Sequence, residues 1–391
     1  MANTVNAPRG TRDILPEEQA YWAKLSKIAE KLTTKFGFEK IDTPTFEELV
    51  LFTRSIGEGT DVMDKELFVT KGIRVEEGES QYALRPEGTA GIVRAYIEHG
   101  MHKLPQPVKL WTYARNFRYD RPQKGRFREH VQFDVEYFTP ASAYADAFCI
   151  WMSYLFLKEA GLGEGIRCKV NTLGTTEERL SFIQALREHI AHNSLKLSED
   201  SLRRLEINPL RILDSKDQAD QRALDEFSSL FDHLSEASQT YFRQVCEHLD
   251  AWQVPYEHDT RLVRGLDYYS HTAFEWVITD NAGQQGSIGG GGRYDGLISQ
   301  LGGPAEVGGI GFGLGMDRIV VEMMHRGVTL DDAPRKVALI VPDGTPVAVY
   351  TVKLAELATR EGWQVECEPD RSVNSQKKRA ERLGCEEIIE L

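Results

Sequence analysis

The first clear periodicity in the chain is that of an amphipathic helix near the N-terminus. After Pro16, apolar residues recur at spacings of three or four: Trp22, Leu25, Ile28, Leu32 and Phe36. Proline is favoured in the first turn of a helix, and this spacing places side chains on one face. The pattern predicts a helix that begins at Pro16, ends before Gly37 and packs against a core by its apolar face.

A period of two, which is typical of β-strands, governs residues 113–138. In the second half of this stretch, branched and aromatic residues alternate with polar ones: Val131, Phe133, Val135 and Tyr137. Between the halves lie Asp120, Pro122 and Gly125, which are turn-forming residue types. The pattern predicts an antiparallel hairpin.

Strand-like patterns return in residues 261–278 and continue in two glycine-rich runs, 286–295 and 307–314. Fourteen of the 33 glycines lie between residues 283 and 315. Glycine weakens a strand, so this density predicts that another backbone or a ligand must come close. The chain has no G-x-G-x-x-G and no G-x-x-x-x-G-K-[ST] motif, so we expect any nucleotide to bind on an antiparallel sheet.

Two further regions differ from these strands in their residue pattern. Between residues 175 and 255 glycine is absent and helical patterns dominate, which predicts a helical insertion within a core of residues 1–330. From residue 336, strand, helix, strand, helix and strand alternate up to residue 391. This alternation predicts an α/β domain with a parallel sheet, which ends early, after its third strand.

Composition indicates an ordinary globular protein, with 41% hydrophobic and 27% charged residues over 391 positions. The formal net charge of -13 argues against nucleic-acid binding by the surface as a whole. The five cysteines are scattered without a C-x-x-C pair, which favours a reducing compartment over a structural zinc site. With no signal peptide and no apolar run of membrane length, we expect a cytoplasmic protein without a membrane partner.

The predicted hairpin is basic despite the acidity of the whole chain. Residues 115–128 contain six lysines and arginines but one aspartate. Guanidinium groups donate hydrogen bonds in pairs and keep their charge, which suits phosphate oxygens. The hairpin therefore predicts an anion site, with a solvated basic loop as the alternative.

Polar residues at other strand ends extend this hypothesis. Arg264 lies in a strand-turn, and Arg318 opens a helix after a glycine-rich strand. Glu87 lies where a strand passes into a helix, while Gln132 and Glu136 are four apart on one strand and so share a face. Several arginines around a glycine floor suit a triphosphate, because attack at phosphorus is promoted mainly by positioning and charge neutralisation.

The motifs that carry these residues resemble those of the histidyl-tRNA synthetase family of class II aminoacyl-tRNA synthetases. They are FRYDRPQKGRFR, LRPEGTAG, LVRGLDYY, GGGGRYDGL, GIGFGLGMDR, RGTRDILP and NPLRILDSK. The resemblance runs from about Arg9 to the end of the chain. It implies an α+β fold with a six-stranded antiparallel catalytic sheet, a helical insertion, and a C-terminal α/β domain similar to an anticodon-binding domain but shorter. It also implies a homodimer.

The activity implied by the resemblance is that of a histidine–tRNA ligase. L-histidine and ATP, with Mg²⁺, would give histidyl-adenylate and pyrophosphate, and the histidine would then pass to the 3′ end of tRNA(His). Since the substrate carboxylate attacks ATP, neither a protein nucleophile nor a dedicated metal site is expected.

The resemblance assigns the phosphate side of the site to arginines. Arg118 would hold the α-phosphate, with Arg126 and Arg318 near the γ-phosphate. Arg264 would stabilise the pentavalent α-phosphorus and contact the histidine carboxylate. His130 stands where the family has an aromatic side chain that stacks on adenine.

The histidine side would be formed by acidic, amide and hydroxyl groups. The amino group of the substrate would be held by Glu87, Thr89 and Gln132. Glu136 and Tyr269 would bind the imidazole, with Tyr268 beside them. Fixed polar partners of this kind reject analogues that leave them unpaired.

Two alternatives from other functional classes are a non-catalytic regulatory subunit of ATP phosphoribosyltransferase and a pseudo-synthetase that senses histidine or tRNA. The short C-terminal domain favours the first. The intact R-G-L-D-Y-Y motif and the phosphate-binding arginines favour a synthetase over both, because a regulator does not need to stabilise pentavalent phosphorus.

Overall fold

The computed structural model describes residues 5–57, 60, 62–70, 81–122, 125–193, 196–225, 227–265, 268–280, 286–330 and 334–391. Leu266 and Asp267 of the R-G-L-D-Y-Y motif lie outside these residues. The chain divides into two compact units, Met1–Val328 and Thr329–Leu391.

The strands of the first unit lie between Glu39 and Gly315. Within the described residues they are β1 (Glu39–Lys40), β2 (Phe46–Glu48), β3 (Val69–Thr70), β4 (Tyr82–Leu84), β5 (Val108–Phe117), β6 (Glu129–Phe138), β7 (Ile166–Thr172), β8 (Tyr256–His258), β9 (Ser270–Ile278), β10 (Ser287–Arg293) and β11 (Gly309–Gly315).

The helices of this unit flank and interrupt these strands. They are α1 (Pro16–Lys35), α2 (Leu49–Ile56), α3 (Thr89–Glu98), α4 (Ala143–Leu157), α5 (Thr176–His192), α6 (Glu199–Ile207), α7 (Gln218–Asp225), α8 (Glu236–Ala251), α9 (Leu297–Gln300) and α10 (Met316–His325). Short 3-10 or π turns lie at Val62–Glu66, Met101–Lys103, Lys158–Leu162, Pro209–Ile212 and Leu230–His233. No helix in the described part of the chain is long and apolar enough to cross a membrane.

In the described part of the chain, the main sheet has eight strands in the order β1-β5-β6-β11-β10-β9-β7-β8. The six central strands pair antiparallel, as the family resemblance predicts. The structure corrects the predicted number, because β1 joins β5 and β8 joins β7 in parallel at the two edges. These edge strands are only two and three residues long, which is too short to show a periodicity in the sequence. The α+β fold class is confirmed.

The predicted basic hairpin is formed by β5 and β6, whose ladder runs from Val108 opposite Phe138 to Phe117 opposite Glu129. The predicted strand at 261–278 begins later, at Ser270. The reason is a turn around Asp259, whose carbonyl accepts from the amide of Leu262 at 3.0 Å and whose carboxylate accepts from the amide of Arg261 at 3.1 Å. This turn directs residues 262–265 away from the sheet ladder.

One face of the main sheet is apolar and is covered by helices. Phe133 and Val135 of β6, Phe312 of β11 and Phe274 and Trp276 of β9 are buried in a single cluster. Helices α1, α4, α8 and α10 contribute apolar side chains to the same cluster. The alternation within each strand therefore leaves the opposite face for polar residues and glycines.

The second unit has the alternation predicted for residues 336–391. Its elements are β12 (Arg335–Ile340), α11 (Val347–Ala358), β13 (Trp363–Cys367), α12 (Val373–Leu383) and β14 (Glu387–Glu390). The strands form a parallel sheet in the order β13-β12-β14. Leu357 of α11 and Ala380 of α12 are buried in separate clusters that contain alternate residues of β12, so the two helices cover opposite faces.

Candidate active site

The polar face of the main sheet is organised by pairs of acidic residues and glycines. Asp134 and Glu136 of β6 lie directly opposite Gly313 and Gly311 of β11. A Cβ atom at Gly311 would lie 1.9 Å from Oε2 of Glu136, and one at Gly313 would lie 2.5 Å from Oδ1 of Asp134. The two carboxyl groups therefore occupy the space that a side chain at position 311 or 313 would fill.

Glu87 joins this face to the start of helix α3. Its carboxylate accepts hydrogen bonds from the backbone amides of Thr89 at 2.8 Å and Ala90 at 2.9 Å. These amides lack partners within the helix, so the carboxylate satisfies the helix N-terminus. The hydroxyl of Thr89 donates to Oε1 of Glu136 at 2.6 Å, which fixes α3 against β6.

The three neighbouring carboxyl groups all have raised pKa values. Burial raises the pKa of Glu136 to about 8, and the nearby carboxyls of Asp134 and Glu87 act in the same direction. Burial and the charge of Glu87 raise the pKa of Asp134 to about 8. Burial also raises the pKa of Glu87, although the amides of Ala90 and Thr89 oppose it. Such a cluster favours the arrival of a cation.

Three buried tyrosines form a cluster that reaches the carboxylate of Glu136. The hydroxyl of Tyr294 donates to Oε2 of Glu136 at 2.5 Å. The ring of Tyr268 lies 4.7 Å from that of Tyr269 and 6.0 Å from that of Tyr294, measured between centroids. Burial raises the pKa of each phenol, so all three remain neutral hydrogen-bond donors.

The arginines lie along the border of this pocket. Nε of Arg118 donates to the carbonyl of Pro86 at 2.8 Å, which places its guanidinium beside Glu87. Arg264 pairs with Glu275 of β9 at 2.7 Å, and Glu275 also accepts from the hydroxyl of Ser287 at 2.7 Å. Arg318 donates to the carbonyl of the same Ser287. Strands β9 and β10 thus connect Arg264 and Arg318.

His130 lies among three of these cations. Burial and the charges of Arg118, Arg318 and Arg126 lower the pKa of His130 to about 3. Its imidazole is therefore neutral at physiological pH. Arg126 pairs with Asp120 at 2.9 Å and is the most exposed of the three arginines. Three arginines thus act on a neutral, planar ring.

The structure brings the predicted site residues into one connected region, and it adds four that sequence reasoning did not select. Tyr294 and Asp134 contact or border Glu136, Glu275 pairs with Arg264, and the amide of Asn116 donates to Oε1 of Gln132. Asp134 could have been found, because it lies midway between Gln132 and Glu136 and so shares their face of the strand. Glu275 of β9 and Tyr294, which directly follows β10, have no comparable signal of contact with the site, since both are distant from β6 in sequence.

Comparison with known proteins identifies one family. A family model described as histidyl-tRNA synthetase matches residues 10–319. The histidine–tRNA ligase of Streptococcus gordonii is 39% identical over 387 residues, which cover 98% of this chain and 89% of the relative. That of Thermosynechococcus vestitus is 39% identical over 381 residues, covering 97% and 87%.

Solved structures show the same likeness. The apo histidyl-tRNA synthetase of S. aureus matches with a TM-score of 0.78 and 32% identity, over 99% of this chain and 92% of that one. An ATP phosphoribosyltransferase regulatory subunit/histidyl-tRNA synthetase from Bacillus halodurans has the same fold, with a TM-score of 0.69, 21% identity and coverage of 100% and 99%. From the family match and the identity over nearly the whole chain, the chain belongs to the histidyl-tRNA synthetase family.

Proposed function

We propose that this protein is a histidine–tRNA ligase, which activates L-histidine with ATP and transfers it to the 3′ end of tRNA(His). The observation that carries the proposal is the pocket around Glu136, whose two carboxylate oxygens are held by Thr89 and Tyr294 next to a row of arginines. Relatives that are 39% identical over nearly the whole chain bear the name histidine–tRNA ligase.

In this proposal the acidic side of the site binds histidine. The substrate ammonium group contacts Glu87, Thr89 and Gln132. In the described structure, the groups that donate hydrogen bonds to Glu87 and Glu136 are uncharged amides and hydroxyls. Glu136 and Tyr269 bind the two nitrogens of the imidazole, and Tyr268 closes the pocket beside them. A neutral phenol and a carboxylate are complementary to an imidazole that donates at one nitrogen and accepts at the other.

The arginines in this proposal bind ATP. Arg118 contacts the α-phosphate, Arg126 and Arg318 contact the γ-phosphate, and Arg264 stabilises the charge that develops at the α-phosphorus as the histidine carboxylate attacks. His130 stacks on adenine, which its neutral state favours because no charge needs to be desolvated. Fixed cations that surround a reacting phosphate lower the barrier without a protein nucleophile.

Magnesium belongs to this proposal as the ion carried by the ATP phosphates. No group of three or more His, Cys, Asp or Glu residues in the described part of the chain could hold a metal ion by itself. Glu275 pairs with Arg264 and acts electrostatically on Arg318, so it lies among the arginines assigned to the phosphates. Its carboxylate oxygens are ligands of the type that Mg²⁺ prefers. When bound, Mg²⁺ would neutralise part of the charge on the phosphates.

We further propose a homodimer and a cytoplasmic location. The rings of Phe46 on β2 and Tyr82 on β4 pack edge to face, with 5.9 Å between their centroids. Both side chains are exposed, as is that of Val50 on α2. Exposed apolar groups of this kind favour a protein partner. All five cysteines are free thiols, which supports a reducing compartment.

The proposal is tested by histidine-dependent ATP–pyrophosphate exchange, which needs no tRNA. We expect exchange from the wild-type protein and at least a hundredfold loss in Arg264→Ala, with ATP binding nearly unchanged in that variant. Arg167→Ala is the matched control variant, since Arg167 is an exposed arginine of β7. A folded wild-type protein that binds histidine without exchange would instead support the regulatory or sensing alternatives.

A further inference from the structure

Strand β9 begins with a bulge that lies next to the histidine pocket. Gly292 of β10 pairs with Ala273, but the next residue, Arg293, pairs with Ser270. His271 and Thr272 therefore have no partner on β10, and His271 adopts a left-handed backbone with φ of 45°. This conformation is uncommon for a residue with a Cβ atom, and here it occurs at a bulge. Tyr269 lies two residues before this point.

The base of the helical insertion enforces this backbone conformation. The amide of His271 donates to the carbonyl of Gly174 at 2.9 Å, and the carbonyl of His271 accepts from the amide of Leu173 at 2.6 Å. Gly174 directly precedes Thr175, which caps helix α5. The bulge at the start of β9 is therefore hydrogen-bonded to the residues from which the insertion starts.

The two insertion helices α5 and α8 are joined at the same place. Glu178 completes a capping box with Thr175 and also accepts from the amide of Ser235 at 2.9 Å and the hydroxyl of Ser238 at 2.8 Å. Although burial alone would raise it, these hydrogen bonds, led by those from Ser235, lower the pKa of Glu178 to about 2. The starts of α5 and α8 thus form one hydrogen-bonded group at neutral pH.

From this group, α5 contacts the histidine pocket directly. Nη1 of Arg179 donates to the backbone carbonyl of Tyr269 at 2.6 Å. Arg179 is the residue after Glu178, so its position is fixed by the capping box. A charged donor on the carbonyl of Tyr269 holds the backbone of this residue, whose phenol ring packs against that of Tyr268.

Helix α8 reaches the pocket by a second connection, through buried ionic groups. The hydroxyl of Tyr241 donates to Oδ2 of Asp146 at 2.9 Å, and Oδ1 of Asp146 accepts from Nε of Arg293 at 2.8 Å. The side chains of Arg293 and Asp146 are fully buried. Burial, together with the Asp146 charge, raises the pKa of Tyr241, which therefore remains a donor. Arg293 is followed by Tyr294, whose hydroxyl donates to Glu136.

We propose that Arg179 and Tyr241 of the helical insertion are positioning residues that set the two pocket tyrosines, Tyr269 and Tyr294, against Glu136. This inference rests on the proposed function, since it assigns the pocket to histidine. Neither residue contacts the substrate in this proposal. Each acts through one intermediate: the Tyr269 backbone for Arg179, and the Asp146–Arg293 pair for Tyr241. The insertion is thereby part of the histidine-binding apparatus.

The test measures histidine binding by calorimetry, and the KM values for histidine and ATP by pyrophosphate exchange, in matched variants of the full chain. Arg179→Met and Arg179→Lys are compared with Arg187→Met, because Arg187 lies on the same helix and donates to Leu205 within the insertion. Tyr241→Phe is compared with Tyr144→Phe, since Tyr144 is an exposed tyrosine of α4.

We expect Arg179→Met and Tyr241→Phe each to raise the KM and the Kd for histidine about tenfold, as loss of one hydrogen bond to a charged or buried partner implies. The KM for ATP should change less than twofold, and Arg179→Lys should recover part of the loss. Both control variants should match the wild type.

Equal losses toward histidine and ATP, or wild-type histidine affinity in both folded variants, would overturn the inference. Wild-type exchange separates the two hypotheses. If the wild type exchanges and the variants do not differ from it, only the inference fails; if the wild type neither binds histidine nor exchanges, the proposed function fails as well.

Discussion

At the scale of single residues, the site depends on how burial changes ordinary carboxyl groups. Glu136 lies on a strand whose other face is apolar, and both of its oxygens accept short hydrogen bonds from Thr89 and Tyr294. These bonds favour the ionised form, but burial outweighs them and raises the pKa to about 8. The ionised form of this carboxyl group is therefore unfavourable in the free protein, and a bound cationic substrate would stabilise it.

This balance makes the stability of the protein depend on pH in a defined direction. The pKa of Glu136 is raised above the usual value of 4.5, so between pH 4.5 and about 8 the folded state binds more protons than the unfolded state. Stability from this group therefore falls as pH rises through that range. We expect Glu136→Gln to become more stable relative to the wild type with rising pH, by up to about 1.4 kcal/mol per pH unit.

The measurement is urea unfolding of both proteins at pH 5, 6, 7 and 8, followed by a signal from the first unit. Glu306→Gln is the control, since Glu306 is exposed in a loop, and its difference from the wild type should stay constant. A difference for Glu136→Gln that is also constant, or that shrinks with rising pH, would show that the carboxyl is not buried as described.

At the scale of elements, β11 provides space for the carboxyl groups of β6. We expect Gly311→Ala to raise the KM for histidine more than tenfold and to lower stability by about 1–3 kcal/mol, because its Cβ would meet Glu136 and the carbonyl of Val135. Gly296→Ala is the matched control, because a Cβ there would meet no atom within 4 Å.

Exchange kinetics and thermal unfolding of the two variants decide this prediction. A Gly311→Ala protein with wild-type histidine kinetics would mean that the pocket lies elsewhere. Should this variant fold too poorly to assay, Gly313→Ala provides a second test, since its Cβ would approach the side chain of Asp134 at 2.5 Å without a clash with the β6 backbone among its nearest contacts.

The elements themselves were largely predictable from the sequence. Helix α1 has the predicted stripe, and β5, β6 and the strands of the second unit follow the predicted alternation, because local periodicity reflects which side chains face a core. The edge strands β1 and β8 were not predicted, since their pairing depends on neighbours that are distant in sequence. The same reason explains why Tyr294 was missed as a partner of Glu136.

At the scale of the whole molecule, the proposed homodimer gives a direct prediction. In analytical ultracentrifugation, we expect the wild-type protein to sediment with twice the 44.3 kDa mass of one chain. We expect Phe46→Asp to shift the equilibrium toward the monomer, because it places a charge in the exposed apolar patch. Leu180→Asp is the control, since Leu180 is similarly exposed but lies on α5. Equal sedimentation of wild type and Phe46→Asp at micromolar concentration would exclude this surface as the interface.

The sequence by itself determined the classes of element, the α+β fold and the family. These properties follow from periodicity and from motifs whose residues are close together in the chain, as in Arg118–Arg128 or Arg264–Gly265. It also identified the residue types that suit a triphosphate and a cation, because charge and hydrogen-bonding capacity belong to the side chain itself.

Only the tertiary structure decided which of these residues meet and in what state. Glu136 has a raised pKa because strands and helices from four parts of the chain exclude water around it, and no local pattern records that exclusion. The contacts of Arg179 with Tyr269, and of Tyr241 with Asp146, likewise join residues about ninety positions apart. The strengths of buried charges and hydrogen bonds depend on such neighbours, and the fold alone brings them together.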